Sequence, residues 1–472
     1  MLDAERKNGI VRGPLHGIPI LIKNNIATLD KMDNTAGSYA LAGARVPRDA
    51  TMAAKLRQAG AIILGKANLS QWANFRSSNS SSGWSAIGGQ VIGAYFPEQD
   101  PSGSSSGSGV STSLGLSLAT LGSETDGSII SPSDANNIVG IKPTVGLTSR
   151  ALVIPISEHQ DTVGPMARTV KDAAYLLQAI AGYDPADNYT SAIPYPKYQI
   201  PDYVAACNYS ALRGARIGIA RNVFDTPRIR ASARAAILRA FDSYAVPILK
   251  NAGAIIVDNT NWPGYDVSDL NSSRIVLQSD FITNLPQYFN QLSVNPRNLR
   301  TLGQVRNFTR SFPLEQYPSR DTGVWDSALD YYNGMSNTSP YFWGNYTFGL
   351  NLAGPQGLLG SLQNYSLDAV IIPTVFASHF PALLGSPVIS VPMGSYPAGT
   401  NVTQNPRGNL NRTGPGIPFG ISFMAERFSE QKLIGLAYAF EQRTQVRQRV
   451  PPLPQNVPKT ELKHIVERGR GV

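Results

Sequence analysis

The sequence predicts an α/β protein in which helices cover a parallel or mixed β-sheet. Short apolar runs, typical of buried strands, alternate with helical segments in two parts of the chain. In the first part, strands at 17–22 and 61–66 flank a helix at 51–59. In the second part, strands at 215–220 and 254–259 flank apolar residues at helical spacing. It is this β-α-β alternation that predicts the sheet.

The ends of the two intervening helices carry their own signals. Asp49 is the expected N-cap of the helix at 51–59, and Gly60 is expected to end it because glycine readily adopts a left-handed backbone. In the later helix, Pro247 interrupts the apolar repeat. We expect a kink there, because proline cannot donate the helical hydrogen bond.

The C-terminal third of the chain adds further strands and one long helix. We expect strands at 367–374 and 386–394, a helix at 429–444, and an irregular tail over 452–472. Between 283 and 350 the sequence mixes aromatic residues with Asn and Pro, without a clear period. The aromatic side chains in that region belong either to a substrate funnel or to the core.

Composition excludes several classes of function. The chain has 472 residues, of which 42% are hydrophobic and 15% charged, as in folded globular proteins. Its net charge of +9 is dispersed and no nucleic-acid-binding module accompanies it, so we predict no nucleic-acid partner. No apolar stretch is long enough to span a membrane, and the single cysteine, Cys207, excludes an intramolecular disulfide.

Sequons for N-glycosylation are unusually frequent and favour secretion. They begin at Asn68, Asn79, Asn188, Asn208, Asn271, Asn307, Asn337, Asn345, Asn364, Asn401 and Asn411. Sequons also arise by chance, and we expect those at Asn68 and Asn79 to be packed. The first residues lack the apolar core of a signal peptide, so secretion requires a start upstream of Met1, and the cytoplasm is the alternative.

Two serine-rich glycine loops carry the strongest functional signal. GSSSGSG spans 103–109, GSETDGSI spans 122–129, and an isolated lysine, Lys23, ends the apolar run GIPILIK. Together they offer a nucleophilic serine, a second hydroxyl and an amine base. The four histidines are His16, His159, His379 and His464, and none of them neighbours a G-x-S-x-G elbow. A Ser-His-Asp triad is therefore the weaker alternative.

Lys23 is the candidate base. A lysine held in a dry pocket at the end of a buried strand loses stabilisation of its charged form, so its pKa falls from about 10.4 towards neutrality. No acidic residue adjoins it in the sequence, where Asn24 and Asn25 follow. The alternative is a structural lysine whose side chain reaches from the strand end to water.

Each loop also has alternative interpretations. GSSSGSG is either a flexible linker or a loop that leads into a helix; it runs into a leucine-rich segment, which favours the helix, and it lacks the Lys-Ser/Thr ending of a phosphate loop. In the second loop Gly127 directly precedes Ser128, and glycine lets consecutive N–H groups point at one oxygen, as an oxyanion hole requires. Asp126 is either a turn former or a carboxylate partner.

Together these segments resemble the amidase signature family, and within it the peptide amidase branch. The resemblance covers nearly the whole chain. It rests on the motifs GPLHGIPILIKNNI (13–26), GKANLSQWANFRSSNSSSGWSAIGGQ (65–90), PSGSSSGSG (101–109), GSETDGSI (122–129), GIKPTVGLTSR (140–150) and QDTVGPMARTVKDAAYLL (160–177). The C-terminal segments LDAVIIPT, GSPVISVPMG and PFGISFMAERFSEQKLIGLAYAFEQRT also resemble the family.

The resemblance implies one large domain over 1–472, a central mixed sheet with helices on both faces, and hydrolysis of carboxamide C–N bonds without cofactor or metal. By this resemblance Ser128 is the nucleophile, Ser104 is a bridging serine that follows a cis peptide bond, and Lys23 is the base. The implied backbone donors of the oxyanion hole are Thr125, Asp126, Gly127 and Ser128. The expected substrate is a small-molecule or peptide amide, and the oligomeric state is left open.

The sequence departs from the family pattern at two points. Asn24 stands where the family has aspartate, and the family has a helical segment ahead of the position of Met1, which we expect this chain to lack. A truncated or degenerate, non-catalytic binding protein is therefore one alternative. A glutaminase-type component of a tRNA-dependent amidotransferase is another, although the ETDGSI form of the nucleophile loop favours the peptide amidase branch.

Overall fold

A mixed β-sheet lies at the centre of the protein. The computed structural model describes residues 1–196, 199–225, 230–266, 270–331 and 334–460. Its strands are β1 (Pro19–Lys23), β2 (Ile62–Ala67), β3 (Trp84–Ser85), β4 (Gly89–Gln90), β5 (Ala119–Glu124), β6 (Val139–Lys142), β7 (Thr162–Ala167), β8 (Arg216–Gly218), β9 (Ile255–Val257), β10 (Ala369–Pro373), β11 (Val388–Ser395), β12 (Thr403–Gln404), β13 (Asn411–Thr413) and β14 (Pro418–Met424). Within the described ranges, ten of them form one sheet in the order β2-β1-β5-β7-β6-β11-β14-β10-β8-β9.

Helices flank this sheet on both faces, as predicted. They are α1 (Leu2–Lys7), α2 (Thr51–Gln58), α3 (Ser106–Ser113), α4 (Ile130–Ala135), α5 (Val170–Ile180), α6 (Ala231–Ala240), α7 (Val246–Asn251), α8 (Pro263–Asp266), α9 (Leu270–Asn290), α10 (Leu302–Ser311), α11 (Gly323–Asp326), α12 (Pro340–Ala353), α13 (Leu358–Asn364), α14 (His379–Leu384), α15 (Glu430–Thr444) and α16 (Val446–Arg449). No helix within the described ranges has both the length and the apolar composition that a membrane span needs.

The strand directions bring two chain segments to one edge of the sheet. β1 lies between β2 and β5 and runs parallel to both. Lys23, the last residue of β1, therefore ends at the same edge as Glu124, the last residue of β5. The neighbouring strands β7, β6, β11 and β14 pair antiparallel, which makes the sheet mixed.

Most predicted elements are confirmed, including the strands of both β-α-β units and the long helix α15. The predicted cap by Asp49 is wrong: Ala50 is the N-cap residue, and the Asp49 carboxylate instead accepts hydrogen bonds from Leu29 N at 2.7 Å and Arg57 Nε at 3.0 Å. A π-helical turn at Phe241–Ala245 precedes Pro247, which lies in the first turn of α7, where a residue without an N–H is tolerated. This interruption of the α-helix lies just ahead of Pro247, where the sequence predicts a kink.

The aromatic region between 283 and 350 is largely helical and contributes to the core. Tyr288, Phe289 and Trp325 are buried in a second apolar cluster that also contains Trp72 and Phe281. α9, α10 and α12 cover much of this region. Periodicity does not predict α9 because its buried residues face several neighbours, so they do not form one apolar stripe.

The sequon asparagines differ sharply in exposure. Those that are exposed within the described ranges are Asn79, Asn188, Asn208, Asn307, Asn364 and Asn401. Asn68 is packed as expected, with Nδ2 donating to Gly89 O at 3.2 Å. The same expectation for Asn79 is wrong, because its loop lies at the surface. The side chain of Asn271, all of His464 and the tail beyond 460 lie outside the described residues.

Candidate active site

Lys23 and Ser104 form a buried pair at the sheet edge. Lys23 has no solvent exposure, and neither has Ser104. Lys23 Nζ lies 2.8 Å from Ser104 Oγ and donates a hydrogen bond of 2.9 Å to Ser123 O, at the end of β5. Because Nζ is enclosed by protein, the alternative of a lysine that reaches water is wrong.

Burial lowers the pKa of Lys23 to about 7, although the negative charges of Asp161 and Glu124 act to raise it. A large fraction of Lys23 is therefore neutral near pH 7. A neutral amine keeps an N–H for Ser123 O and offers its lone pair to the hydroxyl of Ser104. The contact between Lys23 and Ser104 can thus carry a proton from oxygen to nitrogen.

The GSSSGSG loop is a buried part of the fold and leads into α3, so the flexible-linker alternative is wrong. The peptide bond between Gly103 and Ser104 is cis, as the resemblance implies. Ser104 O accepts a hydrogen bond from Ser70 N at 3.1 Å. The next residue, Ser105, donates from its backbone N to Ser128 O at 3.2 Å, which ties this loop to the second loop.

In the second loop, Gly127 must be glycine. Its φ of +85° lies in the left-handed region, and a Cβ at this position would lie 2.9 Å from Ser131 Oγ and 3.3 Å from Ser378 Cβ. The following residue, Ser128, is 8% exposed and sits just ahead of α4. The structure therefore holds Ser128 on a constrained turn that is bonded to the loop carrying Ser104.

Glu124 stabilises this turn from inside, a role that sequence reasoning missed. Its buried carboxylate accepts hydrogen bonds from Gly127 N at 2.9 Å, Ile129 N at 2.6 Å and Ile130 N at 3.0 Å. Burial raises the pKa of Glu124, against the charge of Lys142 and these N–H groups. An acidic residue just ahead of a turn into a helix is the signal that could have found it.

The bond to Glu124 bears on one predicted role. The resemblance implies Gly127 as a backbone donor of the oxyanion hole, but its N–H already points at the Glu124 carboxylate. An N–H is well aligned with only one acceptor at a time. This bond makes the Gly127 N–H less available to an oxyanion, and the donor set of Thr125, Asp126, Gly127 and Ser128 stays a prediction.

The Asp126 carboxylate is paired with a histidine. This pairing favours its interpretation as a carboxylate partner over that of a simple turn former. Its Oδ2 lies 3.1 Å from His379 Nδ1, at the start of α14. Burial acts to raise the pKa of Asp126, but hydrogen bonds from His379 and Ser378 outweigh it and hold the pKa below its usual value. Sequence reasoning missed this pair because 253 positions separate the two residues.

Thr125 is held by a second buried acid. Thr125 Oγ1 donates to Asp161 Oδ1 at 2.5 Å, and Asp161 Oδ2 accepts from Ile156 N at 2.7 Å and Ser157 N at 3.0 Å. Burial raises the pKa of Asp161 to about 6, against the hydrogen bond from Thr125. Every residue from 124 to 127 thus has a side chain or backbone group fixed by a named partner.

One group of metal-ligand residue types occurs in the described part of the chain. Glu158, His159 and Asp280 each offer one ligand atom within 4.8 Å of the others. His159 Nδ1 lies 2.9 Å from Asp280 Oδ2, and Asn337 joins the two acids because its Nδ2 donates to Glu158 Oε1 at 2.7 Å and to Asp280 Oδ1 at 2.9 Å. The group therefore acts as a closed hydrogen-bond network between α9 and its neighbours.

Comparison with known proteins identifies the family. The amidase family model matches residues 1–240, and a protein of Arthroderma benhamiae assigned to the amidases is 56% identical over 471 residues, covering 98% of this chain and 76% of that protein. The chain belongs to the amidase family. It is accordingly a hydrolase that acts on amides.

Solved amidase structures share this fold. The native peptide amidase from Stenotrophomonas maltophilia is 38% identical, with a TM-score of 0.82 over 96% of this chain and 87% of that one. An amidase family protein from Bacillus anthracis is 30% identical, with a TM-score of 0.80 over 96% of this chain and 82% of that one.

The comparisons also bear on the amidotransferase alternative. A glutamyl-tRNA(Gln) amidotransferase component from Moorella thermoacetica is 29% identical over 96% of this chain and 88% of that protein. Identity to the amidases, at 56% and 38%, is higher. The alternative of a tRNA-dependent amidotransferase component is therefore not favoured.

Proposed function

We propose that this protein hydrolyses carboxamide C–N bonds through an acyl-enzyme, with Ser128 as nucleophile, Ser104 as bridging acid–base and Lys23 as base. The observation that carries the proposal is the 2.8 Å contact between Lys23 Nζ and Ser104 Oγ, two groups without solvent exposure. A dry lysine with a pKa of about 7 is a base matched to neutral pH.

The first half-reaction forms the acyl-enzyme. Ser128 Oγ attacks the amide carbonyl carbon, its proton passes to Ser104, and the Ser104 proton passes to Lys23 Nζ. The carbonyl oxygen gains negative charge in the tetrahedral intermediate, and backbone N–H groups of Thr125, Asp126 and Ser128 stabilise it. When the C–N bond breaks, the protons return through Ser104 to the departing nitrogen, which leaves as ammonia or an amine.

The second half-reaction restores the enzyme. Water attacks the ester carbon and loses a proton along the same relay to Lys23. The C–O bond to Ser128 then breaks, Ser128 regains its proton, and the carboxylic acid leaves. Atoms and protons balance without a cofactor, because water is the only co-reactant.

The substrate class that we propose is a small-molecule or peptide amide. The S. maltophilia relative is a peptide amidase, and a structure of the peptide amidase PAM, 38% identical with a TM-score of 0.82, contains the competitive inhibitor chymostatin. The sequence of the nucleophile loop supports the same branch. A panel of peptide amides, aryl amides and fatty amides tests this assignment.

The mechanism is tested by Ser128→Ala, Ser104→Ala and Lys23→Ala. We expect each to lower kcat by at least about 10³-fold, because members of one proton relay act as a unit. Ser111→Ala is the matched control, a buried serine on α3 whose Oγ bonds only to Ser108 O among its described partners. A serine-directed phosphonate should label the wild type and Ser111→Ala but not Ser128→Ala. Labelling that survives Ser128→Ala would reject Ser128 as nucleophile.

A further inference from the structure

A polar cavity of about 420 Å³ lies beside the GSSSGSG loop. Its wall includes Ser70 and Asn74, whose side chains flank Gly103: a Cβ on Gly103 would lie 2.5 Å from Ser70 Oγ and 3.2 Å from Asn74 Nδ2. The backbone N of Ser70 also donates to Ser104 O at 3.1 Å. We call this space the serine–arginine cavity, because Ser80, Ser81 and Arg407 line its other side.

Behind the wall of this cavity, Arg320 is a buried cation with no carboxylate partner in the described part of the chain. Arg320 is 7% exposed, and its guanidinium lies 4.6 Å from the ring centroid of Trp84, a lining residue. Its Nη1 makes only long hydrogen bonds, 3.3 Å to Ser80 Oγ and 3.4 Å to Ser81 Oγ. Its Nε is buried and has no hydrogen-bond partner within the described part of the chain.

Two neighbouring arginines make the buried position of the Arg320 charge still less favourable. Burial, and then the charges of Arg407 and Arg76, lower the pKa of Arg320 to about 10. Arg407 contacts only neutral acceptors among the described residues, at 2.9 Å to Ser319 O, 3.0 Å to Ser319 Oγ and 3.2 Å to Asn79 O. A guanidinium that is buried without a counter-ion is costly, and such costs are usually offset by an anion.

The acidic residues near the cavity are already engaged. Glu315 pairs with Arg76 at 2.9 Å, and Asp100 faces Arg412 at 3.6 Å. Asp321 accepts hydrogen bonds from Ser77 Oγ and Ser78 Oγ, at 2.7 Å and 2.5 Å. The four arginines Arg76, Arg320, Arg407 and Arg412 outnumber these three carboxylates by one, which leaves one surplus positive charge among these residues.

We propose that the serine–arginine cavity binds a small anion, a carboxylate or a phosphate ester, between Arg407 and the Arg320 side of the wall. The planar guanidinium fork and the hydroxyls of Ser80 and Ser81 match the oxygens of such groups. The volume exceeds what one inorganic anion fills, which leaves room for an organic part of the ligand. Two sources share this chemistry: an acidic group on the amide substrate itself, or a separate anionic effector.

Binding is tested directly with inorganic phosphate and acetate, by calorimetry and thermal shift. The protein carries Ser128→Ala, so the result does not depend on turnover or on the proposed relay. We expect Arg407→Gln and Arg320→Gln each to weaken binding about tenfold. Arg221→Gln is the matched control, because that arginine already pairs with Asp242 and Asp258. Absence of binding to the parent protein, or equal weakening in the control, would overturn the proposal.

The source of the anion is decided by kinetics on the active enzyme, with matched amides that do or do not carry a carboxylate. If the substrate supplies the anion, the acidic amide has a higher kcat/KM than the neutral amide, and phosphate competes with the acidic amide. Arg407→Gln then lowers the ratio of kcat/KM for the acidic amide to kcat/KM for the neutral amide about tenfold. If the anion is an effector, phosphate changes kcat for the neutral amide without competing. An enzyme that is indifferent to phosphate in both assays would overturn both sources. If no amide is hydrolysed, the proposed function fails, while the binding assay still decides on the cavity.

Discussion

Lys23 Nζ lies 2.8 Å from Ser104 Oγ, although 81 positions separate the two residues in the sequence. The parallel pairing of β1 and β5 fixes the lysine end of this contact, and the loop ahead of α3 fixes the serine end. Both groups are fully buried, so water does not compete for this contact. The low dielectric of the interior also strengthens the interaction between them. In the proposed relay, the protonation state of Lys23 then sets whether it can accept a proton from Ser104.

The rate of hydrolysis should depend on pH through Lys23. The amine accepts a proton only when neutral, and its pKa is lowered to about 7, so kcat/KM rises with pH and levels off above about 7. Below this midpoint the rate falls about tenfold per pH unit. A pH–rate profile on a non-ionising aryl amide measures it.

Lys66 provides the control for that profile. Burial also lowers its pKa to about 7, but its Nζ bonds to Ile26 O and to Asn34 Oδ1 rather than to a serine. Lys66→Met should change stability and leave the kinetic midpoint in place. A midpoint that moves with Lys66→Met, or one near the ordinary lysine value, would contradict the role of Lys23.

Glu124→Gln should lower kcat about 10²-fold with little change in KM, a loss comparable to that of one oxyanion-hole donor. A carboxylate accepts all three N–H groups of the turn, whereas the amide of glutamine would direct its own N–H at one of them. Glu430→Gln is the matched control, since this buried acid also accepts a backbone N–H, from Thr144 at 2.7 Å, outside the nucleophile loop. Equal kinetic losses in both variants would indicate general destabilisation instead.

His379→Ala distinguishes a positioning role from a Ser-His-Asp triad. Because His379 Nδ1 meets Asp126 Oδ2 at 3.1 Å, we expect it to steady the loop, with a loss of about tenfold in kcat. His379→Asn keeps a donor for Asp126 and should recover most of that loss. His16→Ala, at a buried histidine bonded to Arg12 N, should leave kcat unchanged. A loss above about 10³-fold in His379→Ala would instead make the histidine the base.

The buried ion pair between Arg76 and Glu315 should dominate local stability. Glu315 is fully buried and also accepts from Ser38 Oγ and Gln71 Nε2, so Glu315→Ala leaves the Arg76 charge unpaired. We expect a loss of about 3–5 kcal/mol in the free energy of unfolding, measured by urea titration. Asp330→Ala, which breaks an exposed pair with Arg306, should cost less than about 1 kcal/mol. Similar losses of unfolding free energy in Glu315→Ala and Asp330→Ala would show that burial does not determine how much an ion pair contributes to stability.

The catalytic candidates could be predicted from sequence because each lies in a short motif with its own chemistry. Lys23 ends an apolar strand, and Ser104 and Ser128 lie in glycine loops. The partners that hold these loops could not be predicted in the same way. His379 and Asp161 reach the loop through the sheet topology, and no local period encodes such a contact. Asp49 shows the converse. The local sequence predicts that it caps a helix, but its carboxylate instead accepts a tertiary hydrogen bond from Leu29 N.

Glycosylation should follow the exposure of the sequon asparagines. Expressed through a eukaryotic secretory pathway, the folded protein should carry glycans among its exposed sequons, for example at Asn188 and Asn401, and none at Asn337. Asn337 is buried, and its Nδ2 is committed to Glu158 and Asp280. Peptide mapping after glycosidase treatment measures the occupancy of each site.

Two asparagine variants make this prediction specific. Asn188→Gln should remove one glycan without changing the free energy of unfolding, because Asn188 is exposed. Asn337→Gln should change no glycan but should lower the free energy of unfolding by about 1–3 kcal/mol, since a longer amide cannot keep both buried carboxylates satisfied. A glycan found on Asn337 of the folded protein would contradict this network, because an attached sugar displaces both hydrogen bonds and cannot fit in a buried position.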